Sequence, residues 1–155
     1  MGIKNFQGNH VGKEAAEAEK ITVRDFMTED ITTFKKGQPI LEVMEALVKL
    51  GISGGPVVDE DGKLIGIISE GDCIKQISES RYYNQPMEAT NVEDYMIKNV
   101  ETVDPDMHLF DLANKFLTLK IRRFPVCHQN KIIGLVSQKN VLKTALALHG
   151  HNWKS

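Results

Sequence analysis

Ser69-Glu70-Gly71-Asp72 and Ser137-Gln138-Lys139-Asn140 are the two stretches of this chain best equipped for chemistry. Each places a hydroxyl where a helix is expected to begin and an acid, or its amide, three residues on. A Ser there caps the first free N–H groups, and an acidic residue three positions later approximates a capping box, contributing about 0.5–2 kcal/mol to a helix. That reading needs no ligand. A second reading gives the same groups a partner: the helix N-terminus, with free N–H groups and partial positive charge, faces a polar ligand while Asp72 accepts hydrogen bonds from two vicinal hydroxyls, which a ribose offers. In the second stretch Asn140 brings one side-chain oxygen where Asp72 brings two, and the ionic strengthening is lost. The second site is therefore expected to be the weaker.

Arg122-Arg123 stand at an expected strand start, where the matched positions of the first stretch hold Ser53-Gly54. Two adjacent guanidiniums form a solvated edge or, because Arg forks well onto phosphate, an anion contact. Gly66 and Gly134 lie inside expected strands, which points to close approach by a neighbour or by a ligand. Cys73 and Cys127 match Val141 and Val58 in the other copy, so they read as small buried hydrophobes and not as a disulfide or metal pair. His149-Gly150-His151 offers two ligands on a tail, a poor metal site, and a solvated tail is the default. Tyr82-Tyr83 have the shape to stack on a base, although packing over the core is the plainer reading. No His is matched to a nucleophile in either copy and no Gly-rich phosphate loop follows a strand, so no catalytic residue and no metal ligand is assigned.

These residues are positioned by a chain that repeats itself. Val23-Arg24-Asp25-Phe26-Met27 returns as Val92-Glu93-Asp94-Tyr95-Met96, and Gly66-Ile67-Ile68-Ser69 returns as Gly134-Leu135-Val136-Ser137. The copies are collinear with one residue lost in the turn Asp59-Glu60-Asp61-Gly62 against His128-Gln129-Asn130. Within the first copy, Ile31-Thr32-Thr33-Phe34 reads as a short strand and Pro39 as the opening of a helix running to about Leu50. Ile40, Val43, Met44, Leu47 and Leu50 recur at the spacing of one buried helix face, and Leu109, Leu112, Ala113, Phe116 and Leu119 repeat it. Pro56-Val57-Val58 and Leu64–Ile68 read as a hairpin, echoed by Pro125-Val126-Cys127 and Ile132–Val136, and each hairpin feeds a helix at Ser69 or Ser137. The order per copy is strand, helix, strand, strand, helix, with residues 78–91 connecting the copies.

The chain has 155 residues, 41% of them hydrophobic, enough for one compact domain or two small fused ones. A net charge of −2 argues against a broad nucleic-acid footprint. No apolar run reaches the ~18 residues that span a bilayer and the N-terminus lacks a signal-peptide core, so no membrane partner and a cytoplasmic location are expected. Residues 1–20 are polar and rich in helix formers but have no apolar stripe, which predicts a mobile or loosely docked arm.

Three elements in order, twice over, resemble the CBS domain, a family named after cystathionine beta-synthase and found as tandem pairs called Bateman modules: the opening Val-x-Asp-Phe/Tyr-Met, the central Pro-Val, and the closing Gly-apolar-apolar-Ser-x-x-Asp/Asn. The resemblance covers residues 21–147 and implies a stand-alone tandem pair. It divides the chain into the arm 1–20, repeat one at 21–80, a connector at 81–89, repeat two at 90–148 and a tail at 149–155. It implies an α/β fold, two β-α-β-β-α units packed by their sheets about a pseudo-two-fold axis with two clefts between them, and a homodimer. In the family the Ser and Asp contact the ribose of adenosine-containing ligands, which maps onto Ser69 and Asp72 and, less well, Ser137 and Asn140. The adenine would lie against Thr32, Thr33, Pro56 and Val57, or against Glu101, Thr102, Pro125 and Val126, held largely by backbone groups. Arg122 or Arg123 would reach phosphates of a ligand anchored at Asp72. The function implied is regulatory sensing, without an obligatory cofactor: an adenosine-type effector, with AMP, ADP or ATP foremost, shifts the arrangement of the copies or the dimer, and an unidentified regulated protein reads the shift. The alternative is a ligand-free interaction scaffold in which the Ser-x-x-Asp/Asn motifs are helix caps alone.

Overall fold

The computed structural model describes residues 20–83 and 87–149. The expectations for the arm before residue 20, for the side chains of Tyr82 and Tyr83 and for Gly150 and His151 of the His149-Gly150-His151 group lie outside what is described. The elements run α1 (Val23–Phe26), β1 (Phe34–Lys35), α2 (Ile40–Leu50), β2 (Gly54–Val58), β3 (Leu64–Ser69), α3 (Glu70–Tyr83), two 3-10 turns (Met87–Ala89 and Val92–Asp94), α4 (Leu109–Leu119), β4 (Arg123–His128), β5 (Lys131–Ser137) and α5 (Gln138–His149). In the first copy β1 runs parallel to β2, with Phe34 opposite Val57, and β2 pairs antiparallel with β3. In the second copy β4 and β5 form a two-stranded sheet.

Two sequence expectations shift here. The first strand is Phe34–Lys35 and not Ile31–Phe34, because the parallel partners Val57 and Val58 begin only at Phe34. Its counterpart in the second copy shrinks to a single parallel bridge, Val103 to Val126. The connector also starts helical, since α3 continues to Tyr83.

Both periodic helices bury the face their spacing dictates: Ile40, Val43 and Leu47 on α2, and Leu109, Leu112 and Phe116 on α4. Leu50 and Leu119 depart from it, being 53% and 39% exposed. Each occupies the last position before a left-handed residue, Gly51 (φ 64°) or Lys120 (φ 55°), where the helix ends and the apolar stripe with it.

The described chain divides into two compact units. The first holds residues 30–101 and 127–133; the second holds 20–29, 102–126 and 134–149. The opening motif of each copy thus belongs to the unit that carries the other copy's helices. In the first unit, Ile97 and Ile67 exchange backbone hydrogen bonds of 2.8 and 2.9 Å. In the second, Thr28 and Leu135 do the same at 2.8 and 2.9 Å, and the N–H groups of Val23 and Arg24 donate to the carbonyls of Met107 and Pro105.

This exchange accounts for the strand glycines. A Cβ on Gly66 would stand 2.6 Å from Met96 Sδ and 2.8 Å from the Ile97 carbonyl oxygen; one on Gly134 would stand 2.8 Å from Met27 Sδ and 2.9 Å from the Thr28 oxygen. A neighbouring segment, the returning opening motif, is what approaches both glycines. Each motif is itself pinned by its acid, Asp25 accepting from the Thr22 N–H at 2.9 Å and Asp94 from the Asn91 N–H at 3.0 Å. In the first unit Tyr95 adds a hydroxyl hydrogen bond of 2.5 Å to Glu79 on α3. That bond to a carboxylate pushes the Tyr95 phenol up to about 12.

Candidate functional site

The first unit gathers Thr32, Thr33, Pro56, Val57, Ser69 and Asp72. Ser69 ends β3 and caps α3. Asp72 Oδ2 accepts from the Ser69 N–H at 2.9 Å and the Ser69 hydroxyl at 3.0 Å, while the Asp72 N–H points back at Ser69 Oγ, 3.4 Å away. The Glu70 N–H donates to the Ser53 carbonyl at 2.9 Å. The reciprocal cap is real, yet it consumes only one carboxylate oxygen: among the described residues Asp72 Oδ1 accepts no hydrogen bond, and the Gly71 N–H finds no acceptor. Both Ser69 and Asp72 are half-buried, unlike the exposed caps at Thr22/Asp25 and Asn91/Asp94. A carboxylate oxygen of a half-buried residue at a helix N-terminus can bind hydroxyls more strongly than a fully solvated one.

Beside the helix start, β2 supplies buried Pro56 and Val57, with half-buried Thr32 and exposed Thr33 on the segment leading into β1. Gly55 is what lets that segment lie so close: its Cβ would come within 2.8 Å of the Thr32 carbonyl oxygen and 3.2 Å of the Phe34 ring. Cys73, next along α3, is buried in the core, and burial, with Asp72 and Glu70 adding to it, pushes its thiol up. Cys127 shifts the same way through burial, and both cysteines are free. One buried polar group stands out on the same helix: Gln76, 1% exposed, has neither amide atom hydrogen-bonded among the described residues.

The second unit gathers Thr102, Arg122, Arg123, Pro125, Val126, Ser137 and Asn140. Asn140 Oδ1 accepts from the Ser137 N–H and hydroxyl, both at 2.8 Å, which reproduces the cap of the first unit. Its amide nitrogen then donates to the Phe26 carbonyl at 3.3 Å, tying α5 to α1. The Arg122 carbonyl accepts from the Gln138 N–H at 3.1 Å, so the two exposed arginines flank the start of α5. Neither makes an ion pair among the described residues. Residue spacing did not foretell Lys115, whose ammonium donates to the Thr102 carbonyl at 2.9 Å and lies 5.4 Å from the Phe124 ring centroid. The signal was available in the repeat, because the matched positions in the first copy are Ala46 and Gly55.

No group of three His, Cys, Asp or Glu among the described residues is placed to hold a metal ion. None of their helices is long and apolar enough to cross a membrane.

Comparison with known proteins bears on the same residues. A family model described as the CBS domain matches residues 23–79 and again 92–147. The CBS domain-containing protein CBSX1 of Arabidopsis thaliana is 32% identical over 82% of this chain and 65% of its own length. Homoserine O-acetyltransferase of Methanococcus vannielii is 32% identical over 92% of this chain but only 28% of its own length. The chain likewise spans 44% of an uncharacterized Methanocaldococcus jannaschii protein to which it is 27% identical. Among solved structures, CBSX2 in complex with AMP is 30% identical with a TM-score of 0.72, covering 83% of this chain and 98% of that one. The CBS domain pair of protein MJ0100, in complex with 5'-methylthioadenosine and S-adenosyl-L-methionine, is 26% identical with a TM-score of 0.67, covering 82% and 97%.

Proposed function

The chain belongs to the CBS-domain family and carries two tandem CBS domains in a mixed α/β fold, and from that premise we propose that it is a regulatory module whose effector is an adenosine-containing small molecule, adenine nucleotides foremost, held at Ser69 and Asp72. The observation that carries this reading is the Oδ1 of half-buried Asp72 at the N-terminus of α3, which accepts no hydrogen bond among the described residues. A carboxylate placed so accepts from the 2'- and 3'-hydroxyls of a ribose, while Thr32, Thr33 and Pro56 line the place for the base; Val57, 0% exposed, belongs to the core behind them and offers the base no surface. AMP in the CBSX2 structure, and methylthioadenosine and S-adenosylmethionine in the MJ0100 structure, support the ligand class. Arg122 and Arg123, exposed and unpaired among the described residues, are the phosphate contacts in this reading.

Signalling is a population shift. An effector moves a two-state equilibrium only by its differential affinity for the two states, so the ligand-bound arrangement must differ from the free one. A homodimer is the assembly proposed to transmit it. Support comes from matched positions in the two copies, Val48 with Leu117 and Ile74 with Leu142, which are 84%, 77%, 64% and 63% exposed despite being large and apolar. No reaction is assigned to the chain.

The test is a thermal-shift panel of adenosine, AMP, ADP, ATP and S-adenosylmethionine on wild type and Asp72→Ala. A ligand at 100 times its dissociation constant adds about 2.7 kcal/mol, on the order of 5–10 °C in a chain of this size. The reading expects at least one compound to do this for wild type and not for the variant. If none moves the transition at millimolar concentration, the Ser-x-x-Asp motif is a cap alone and the scaffold reading replaces this one.

A further inference from the structure

The two copies keep the same cap but spend their remaining polar groups differently, and the difference bears on how many ligands one chain binds. We infer that the chain binds one adenosine-type ligand, at Asp72, and that the matched position in the second unit is closed by its own side chains; this rests on the function proposed above.

Three observations converge. Asp72 keeps a whole carboxylate oxygen unengaged, whereas Asn140 offers its single oxygen to Ser137 twice and commits its amide nitrogen to the Phe26 carbonyl. To receive a diol, Asn140 would have to release α1. The carbonyl of Thr102, the counterpart of Thr33, already accepts the Lys115 ammonium at 2.9 Å. An adenine amino group is a donor, and a donor brought to that oxygen meets a fixed positive charge. Finally, Lys115 is held in place by the Phe124 ring, 5.4 Å from the ammonium. The first copy has Ala46 and Gly55 at these positions, so it lacks both the cation and the ring that seats it, and the Thr33 carbonyl accepts no hydrogen bond among the described residues.

The closure is thus built from residues that one copy has and the other does not. It also gives the repeat a division of labour: one cap serves a ligand and the other fastens the chain's own opening motif.

Equilibrium dialysis of the full chain against radiolabelled adenosine, and separately AMP, reads the stoichiometry. Wild type should saturate near one ligand per chain, Asp72→Ala should bind none, and Lys115→Ala combined with Asn140→Asp should rise to two. If the double variant fails to fold by circular dichroism, Lys115→Met with Asn140→Asp keeps the aliphatic stem on Phe124 and serves instead. Two ligands per wild-type chain, or one persisting in Asp72→Ala, overturns the inference while leaving adenosine binding intact. A double variant that stays at one ligand shows that these side chains are not what closes the second position. Failure of wild type to bind either probe, with no response to ADP, ATP or S-adenosylmethionine in the thermal-shift panel either, overturns the proposed function, and this inference with it.

Discussion

Asp72→Asn separates capping from ligand binding, because the protein already contains the answer for capping. Asn140 holds the Ser137 N–H and hydroxyl through a single oxygen at 2.8 Å each, as short as the bonds Asp72 makes at 2.9 and 3.0 Å. The variant should therefore keep both cap bonds. What it loses in the free protein is a negative charge in the first turn of α3, about 0.3–1 kcal/mol, or roughly 1–4 °C in melting temperature. What it loses in the complex is larger: with its one oxygen held by the cap, the variant presents an amide NH2 where the free carboxylate oxygen stood, so the ribose hydroxyls lose their charged acceptor, and even with the amide donating to a hydroxyl oxygen instead they forfeit about 1–3 kcal/mol together. That converts to roughly 5- to 150-fold in Kd. Isothermal titration with AMP and with adenosine, beside a melting curve of the free protein, measures both. An affinity within about threefold of wild type would mean that the carboxylate does not hold the diol. A melting temperature more than about 10 °C lower would mean that Asn cannot replace Asp as a cap, against the geometry at Asn140.

Other perturbations probe the rest of the structure. Arg122→Ala with Arg123→Ala should weaken AMP far more than adenosine, which has no phosphate to lose; an unchanged ratio of the two dissociation constants removes the arginines from the site. Gly66→Ala should cost about 1–3 kcal/mol, because its Cβ meets the Ile97 oxygen at 2.8 Å and that carbonyl is fixed by Ile67. Adding Met96→Ala should not restore it, and full recovery in urea denaturation would show that the side chain alone was in the way. Gln76→Met should stabilise by about 1 kcal/mol or more by removing two buried polar atoms that lack partners, whereas a destabilised variant would reveal a partner for that amide. Finally, one tyrosine should ionise near pH 12 in an absorbance titration and return toward 10 in Glu79→Gln. Because the folded phenol holds its proton longer than the unfolded one, its contribution to stability is complete below pH 10 and lost as pH rises toward 12. An unaltered titration in the variant would refute the Tyr95–Glu79 bond.

Local patterns were legible in the sequence; pairings across the chain were not. The three-and-four spacing placed the buried faces of α2 and α4 and the Ser-x-x-Asp spacing placed the caps, because both are set within one or two helical turns. The spacing overreached at Leu50 and Leu119, where a left-handed residue ends each helix. The first strand was misplaced because a parallel strand is defined by its partner, and Val57 and Val58 select Phe34 and Lys35. Gly66 left neighbour and ligand equally open, and only the returning segment at Met96 and Ile97 decides between them. Lys115 and the Asn140–Phe26 bond lay beyond periodicity altogether. They become visible only when the copies are compared position by position and the departures, Lys for Ala and Phe for Gly, are asked what they touch.

The exchange of opening motifs also sets an order of events during synthesis. The segment that pairs with β3 in the first unit, ending at Ile97, leaves the ribosome soon after α3, whereas Thr28 must wait for Leu135, 107 residues later (135 − 28). At about 5–20 residues per second that interval is roughly 5–20 s. Throughout it the half-buried Phe26 and Met27 have no Leu135 and no Gly134 to rest on, and the loop to be closed is among the longest the chain contains, which slows the step. The N-terminal motif is then the part of the nascent chain most in need of protection, and the last to find its place.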